Sequence, residues 1–165
     1  MSNLIKPYTI SVWEDKLIGG QLVEVRLGII GSNDMLTDSR VLEPNLVRNS
    51  NGTKKMTFKM YKKYIDTMTG ERVHNPFSDW LVAERKVKLE YEGKWYDFVI
   101  KDIVETSTDY LYRYSLEDAL VQELSKNGFG VTFDTELMNN IGDAKYLATE
   151  TLKETDWNVD SEIFV

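Results

Sequence analysis

The chain has 165 residues, 42% of them hydrophobic, with no cysteine, one histidine and a formal net charge of −7 at pH 7. That length and apolar content support one domain with a genuine core plus a small second unit, and the missing cysteines exclude a disulfide framework and any thiolate metal site. The acidic balance argues against general affinity for nucleic acid, because phosphate binding needs a positive surface.

Met1 to Lys16 contains no apolar run suited to a signal peptide, and no run of about 18 apolar residues occurs anywhere. The expectation is a protein made in a reducing cytoplasm, without a membrane segment. Tyr8, Ile10 and Val12 alternate with Thr9 and Ser11, and Leu22 to Ile30 forms a second extended run beyond Gly19-Gly20. The two predict an opening β-hairpin. From Gly31 to Asn51 the residues are small, polar or turn-forming, punctuated by Pro44, and read as a long loop. Met56, Phe58 and Met60 then set one face of a strand whose other face is Lys55, Thr57 and Lys59, and Thr69-Gly70 ends the basic, aromatic continuation.

Asn75 followed by Pro76 predicts a helix start, with Asn75 as cap and Pro76 in the first turn. Phe77, Trp80 and Leu81 give an apolar stripe on a helix expected over Pro76 to Glu84, suited to plugging the end of a β-barrel. Val87, Leu89 and Tyr91, the turn Glu92-Gly93 and the run Trp95 to Ile100 predict a second hairpin. After a polar break at Glu105 to Asp109, Tyr110, Tyr112 and Tyr114 share one strand face. Ser115 with Asp118 makes an S-x-x-D helix start, with Leu116, Ala119, Leu120 and Leu124 on its apolar face and Asn127-Gly128 as its stop. Val131 to Phe133 reads as a short strand, and Ala144, Leu147, Ala148 and Leu152 as a last amphipathic helix with Trp157 near its end. The fold class expected is α+β: an antiparallel, barrel-like β domain over residues 1–115 with a short packed helix, then a small α/β appendage over 116–165.

Little in this pattern carries chemistry. His74 alone cannot build a zinc site of two or more His or Cys ligands, and its place before Asn75-Pro76 suits a surface turn. Glu90 and Glu92 share a solvated strand face. Asp134-Thr-Glu136 with Asn139-Asn140 lacks the sixth-position glycine and twelfth-position glutamate of a calcium loop. No catalytic residue, cofactor or metal is expected. The one basic, aromatic stretch, Lys54, Lys55, Lys59, Lys62 and Lys63 around Phe58, Tyr61 and Tyr64, is the candidate partner surface. Its lysines suit an edge strand protected from pairing, a subunit contact or, least well, nucleic acid. Charge is also polarised: residues 1–101 carry 16 basic and 13 acidic side chains, and residues 102–165 carry 4 and 14. Either both halves are simply solvated or unlike faces meet in an assembly.

The order of these elements resembles the N-terminal region of phage and prophage tail-hub (tail-associated, baseplate-hub) proteins of long-tailed phages. The residues that carry the resemblance are Trp95 to Val104, the run Ser115 to Gly130, Asn139-Asn-Ile-Gly142, and Thr155-Asp-Trp-Asn-Val159, with Glu43-Pro-Asn-Leu and Asn51-Gly-Thr fitting upstream. It spans Val41 to Val159 and rests on pattern, not on a catalytic motif. The resemblance implies a tail-tube-like β domain in a structural virion protein of the tail tip. Such a domain joins the tail tube or distal ring to the tip and lines the DNA channel. Its implied partners are further copies, as a trimer in the full assembly, and tube, distal, tip or fibre proteins. Hubs of this kind are usually longer, so the chain is expected to be an N-terminal part or a reduced version. Two other classes remain open from sequence: a carbohydrate-binding adhesin module, and part of a cell-wall hydrolase.

Overall fold

A computed structural model describes residues 2–33, 40–50, 52–106, 110–127 and 149. The chain divides into two compact units, Met1–Ala119 and Leu120–Val165. In the first, an eight-stranded antiparallel sheet is built from β1 (Ser2–Asn3), β2 (Tyr8–Ile18), β3 (Gln21–Ser32), β4 (Leu42–Arg48), β5 (Lys54–Tyr61), β8 (Lys86–Tyr91), β9 (Lys94–Glu105) and β10 (Leu111–Asp118), while β6 (Lys63–Ile65) and β7 (Arg72–His74) form a separate hairpin. The order across the main sheet is β1-β4-β5-β10-β9-β8-β2-β3. Its ladder is open, with β1 and β3 as the two edges.

Alternation along each strand sends one face into a single core. Ile10 and Val12 of β2, Met56, Phe58 and Met60 of β5, Val87 and Leu89 of β8, Phe98 and Ile100 of β9, and Tyr114 and Leu116 of β10 are all buried there. The opening hairpin and the Val87 to Ile100 hairpin form as their patterns predict, the first around Gly19-Gly20 and the second around Glu92-Gly93, where both turn residues have positive φ.

One apolar face with no second sheet over it among the described residues is covered by bending. Arg48 on β4 donates to the Tyr96 hydroxyl on β9 at 2.9 Å, although β5 and β10 lie between those strands. Three ladder steps in a flat sheet span about 14 Å. The sheet therefore curves strongly around its core. Between β7 and β8 a 3-10 helix, Pro76–Trp80, packs against that core; Asn75 caps it by accepting from the Phe77 N–H at 3.2 Å. Phe77 and Trp80, three residues apart and so eclipsed in 3-10 geometry, meet edge-on at 5.1 Å. Leu81 is buried, while Phe77 and Trp80 lie at the fringe of the core.

The structure corrects several expectations. The helix placed over Pro76 to Glu84 is one five-residue 3-10 segment, because Leu81 leaves helical geometry and Glu84 and Arg85 instead bond the backbone of Ile100. The loop placed over Gly31 to Asn51 contains β4, whose Leu46 is buried. Pro44 is accommodated there because the register with β5 shifts between Leu42 and Asn45, where no ladder donor is needed. Ser115 starts no helix. β10 runs on to Asp118, since Ser115 and Leu116 sit between β5 and β9 and pairing on both sides outweighs a local capping signal. Helix α1 spans Ala119–Asn127, so Leu116 belongs to the sheet core and not to a helix face. The expected strand at Val131 to Phe133, the helix around Ala144 to Leu152, Trp157 and the Asp134 to Asn140 stretch lie outside the described residues.

Two outcomes test this packing. A Cβ on Gly28 would lie 2.7 Å from two ring atoms of Trp80, so Gly28→Ala should lower stability by about 1 to 3 kcal/mol; urea denaturation should show the loss shrinking when Trp80 is first replaced by Leu. Tyr114 stacks on Phe58 at 5.1 Å, but its fully buried hydroxyl has no hydrogen-bond partner among the described residues, and burial pushes the phenol up to about 12. Removing an unsatisfied buried hydroxyl costs nothing in lost bonds, so Tyr114→Phe should raise the unfolding free energy by about 1 kcal/mol.

Candidate functional site

The two ends of the curved sheet are finished differently. At the end holding the Glu92-Gly93 turn, Glu92 accepts from Lys6 and from Arg48, the latter at 3.1 Å, and Lys54 meets Asp118 at 3.6 Å. Arg48 and Lys54 also lie over the Tyr96 ring, at 5.5 and 5.8 Å. These side chains form a charged rim above the core. Hydrogen bonds from Lys6 and Arg48 hold the Glu92 carboxyl below its usual range, and the same bonds raise both cations.

At the opposite end, β6–β7 and the 3-10 helix carry a cluster of cations on aromatic rings. Lys62 sits 4.0 Å from the Tyr112 ring centre, Lys63 4.5 Å and Arg72 5.5 Å from Tyr110, and Arg40 5.3 Å from Tyr64 and 5.9 Å from Phe77. Burial and the neighbouring Glu105 carboxylate hold the Tyr112 phenol above its usual range. The hairpin tip beyond the cluster leaves Met68 94% exposed and Ile65 62% exposed.

The five lysines singled out from sequence are not one patch. Lys54 belongs to the charged rim; Lys55 faces Glu117 at 3.8 Å and Lys59 meets Glu43 at 2.6 Å; only Lys62 and Lys63 join the aromatic cluster. Nor does β5 lie at an edge, being paired with β4 and β10, so its lysines serve cross-strand ion pairs instead of guarding against pairing. Sequence reasoning missed Arg40 and Arg72. Arg72 was legible only through the register of β6–β7, where Ile65 faces Arg72 across Thr69-Gly70.

A third charged group lies on the outer face of β2, β3, β8 and β9. Lys86 bonds Asp15 at 2.9 Å and Glu24 at 3.2 Å; Lys88 bonds Glu24, lies 3.8 Å from Asp97 and sits 4.6 Å above the Trp13 ring. Burial raises the Asp97 carboxyl above its usual range and Glu24 adds to that, while Lys88 opposes it. Trp13, set among charges in sequence, thus lies under a lysine and donates to the Ser11 hydroxyl at 2.8 Å.

His74 is exposed on β7 and paired with Asp79 at 2.9 Å. Among the described residues, no group of three or more His, Cys, Asp or Glu side chains could hold a metal ion. No helix among them is long and apolar enough to cross a membrane. No protein-family model matches the chain, and no curated protein matches it. These sites present charged and aromatic side chains suited to binding.

Two of the perturbed carboxylates, Glu92 and Asp97, give opposite signatures. Glu92 is depressed from 4.5 on folding, so its contribution is present at neutral pH and lost as pH falls; Asp97 is raised from 3.8, so ionising it weakens the fold as pH rises above that value. Thermal melts at pH 7 should therefore show Glu92→Gln below wild type and Asp97→Asn above it, with both differences fading in acid.

Proposed function

We propose that this chain is the hub domain of a phage tail tip, a structural virion component that joins the tail tube or distal ring to the tip and lines the channel through which DNA leaves. The observation that carries this reading is an antiparallel sheet curved around its own core while two hairpins project apolar tips. Leu17 and Leu22 flank the Gly19-Gly20 turn at 72% and 76% exposure, and Ile65 and Met68 mark the second tip. Exposed apolar residues of this kind suit contacts between subunits. The net charge of −7 suits a conduit that DNA crosses without adhering.

In this role the partners are further copies of the chain, as a trimer in the full assembly, with tube, distal, tip or fibre proteins. Of the candidate partner surface, Lys62 and Lys63 lie with Arg40 and Arg72 on the aromatic cluster, while Lys54, Lys55 and Lys59 pair with carboxylates within the sheet. The carbohydrate-binding reading gains less. Among the described residues, the exposed aromatic rings, Trp95 on β9, Tyr61 on β5 and Tyr64 on β6, are spread over three strands instead of one platform.

Antibodies against the full chain, applied with gold label to particles from the phage or prophage that encodes it, should mark the tail tip under the electron microscope. Label absent from intact and disrupted tails alike would reject the role. Binding on a glycan array, or a cleared zone on peptidoglycan, would transfer support to the adhesin or hydrolase.

A further inference from the structure

Among the described residues, the longest strand edge in the sheet is unpaired. β3 runs for 12 residues, and among the described residues β2 is the one strand that forms a ladder with it. Its C-terminal part is blunted: the register with β2 shifts twice, leaving Leu27 and Ile30 without a β2 partner, and Arg40 donates its N–H to the Ile30 carbonyl at 3.0 Å. Register shifts and covering segments are the usual protection of an edge against pairing. They leave residues 21–26 unprotected, with Leu22 76% and Val23 41% exposed.

The positive φ angles of Gly19 and Gly20 make the connection a two-residue turn, so Ile18 and Gln21 are a hydrogen-bonded pair. By alternation, Val23 and Val25 also bond toward β2. The N–H and C=O groups of Leu22, Glu24 and Arg26 then point outward. A second antiparallel strand must pair with those three residues.

We propose that a second copy of this chain supplies that strand, with the two β3 edges antiparallel about a two-fold axis at Val25. In this register Glu24 stands opposite the partner's Arg26, and Arg26 opposite the partner's Glu24. Both belong to the outward-bonding set. Centring the axis on Glu24 would instead set two carboxylates face to face, which cross-strand pairing disfavours. The charge around Glu24 fits the same register. Asp15, Glu24 and Asp97 are held by two ammonium groups, Lys86 and Lys88, which leaves one negative charge over. Arg26 is exposed on the same face, paired across the ladder with Trp13, and makes no ion pair within the described residues. Each copy thus lacks one cation beside Glu24 and holds one spare at Arg26. The contact is isologous, so each copy's β3 edge is used once and growth stops at two. It is independent of the tail-hub reading, because a two-fold pair does not build a three-fold ring, and either proposal stands if the other fails.

Sedimentation equilibrium of the full 165-residue chain decides it. The expected result is a reversible monomer–dimer equilibrium. Glu24→Arg and Arg26→Glu should each weaken dimerisation about tenfold or more, because each turns two attractive crossings into two repulsive ones. An equimolar mixture of the two variants should recover wild-type affinity, since the mixed dimer has opposite charges at both crossings. Thermal melts check that the variants fold. Arg26→Glu, at an exposed side chain, carries the test if Glu24→Arg unfolds by losing Lys86 and Lys88. A monomer at every concentration, a dimer that Arg26→Glu leaves unchanged, or a mixture of folded variants no tighter than either alone would overturn the proposal.

Discussion

Everything in the first unit follows from one constraint: an antiparallel sheet has a single apolar face, and among the described residues no second layer of comparable size covers it. A 3-10 helix of five residues cannot bury a core that draws on seven strands and the segments beside them. Apolar surface left in water costs about 25 cal/mol per Å², and bending the sheet around its own side chains removes that cost without another element. Curvature then fixes the rest. It brings β4 over β9, sets Arg48 on Tyr96, and gathers one charged rim and one cation-aromatic cluster at the two ends of the core.

Tight turning leaves strain in the backbone, and the strained points are where charge is spent. Among the described residues, four non-glycine residues take positive φ: Glu43, Glu84, Glu92 and Tyr110. Each is held by cations. Glu43 meets Lys59, Glu84 meets Lys101 at 3.3 Å, Glu92 meets Lys6 and Arg48, and the Tyr110 ring lies under Lys63 and Arg72. A left-handed non-glycine residue is disfavoured by about 1 to 3 kcal/mol unless its surroundings hold it. The lysines and arginines of this domain are thus largely internal ties, and the lysines of β5 are paired with Asp118, Glu117 and Glu43.

The sequence was most legible where strands alternate and turns are short. Tyr8-Ile10-Val12, Met56-Phe58-Met60 and Val87-Leu89-Tyr91 announce their faces by period two, and Gly19-Gly20 and Glu92-Gly93 announce their hairpins. It misled where a local signal competes with distant pairing. Ser115 and Asp118 look like a helix start, but β5 and β9 claim them; Pro44 looks like a loop, but an irregular register lets β4 pass through it. The sites were less legible than the fold. Arg40, Lys62, Arg72 and Tyr112 are scattered along the chain, and Arg48 reaches Tyr96 only because the sheet bends, a global property that no window of sequence contains.

The bend itself is open to a direct measurement. In solution NMR of the full chain, nuclear Overhauser contacts between the Tyr96 ring protons and the Arg48 side chain should appear alongside the backbone contacts of the β4-β5-β10-β9 ladder. An intact ladder without Tyr96–Arg48 contacts would mean a flatter sheet, with the core covered by something other than its own curvature.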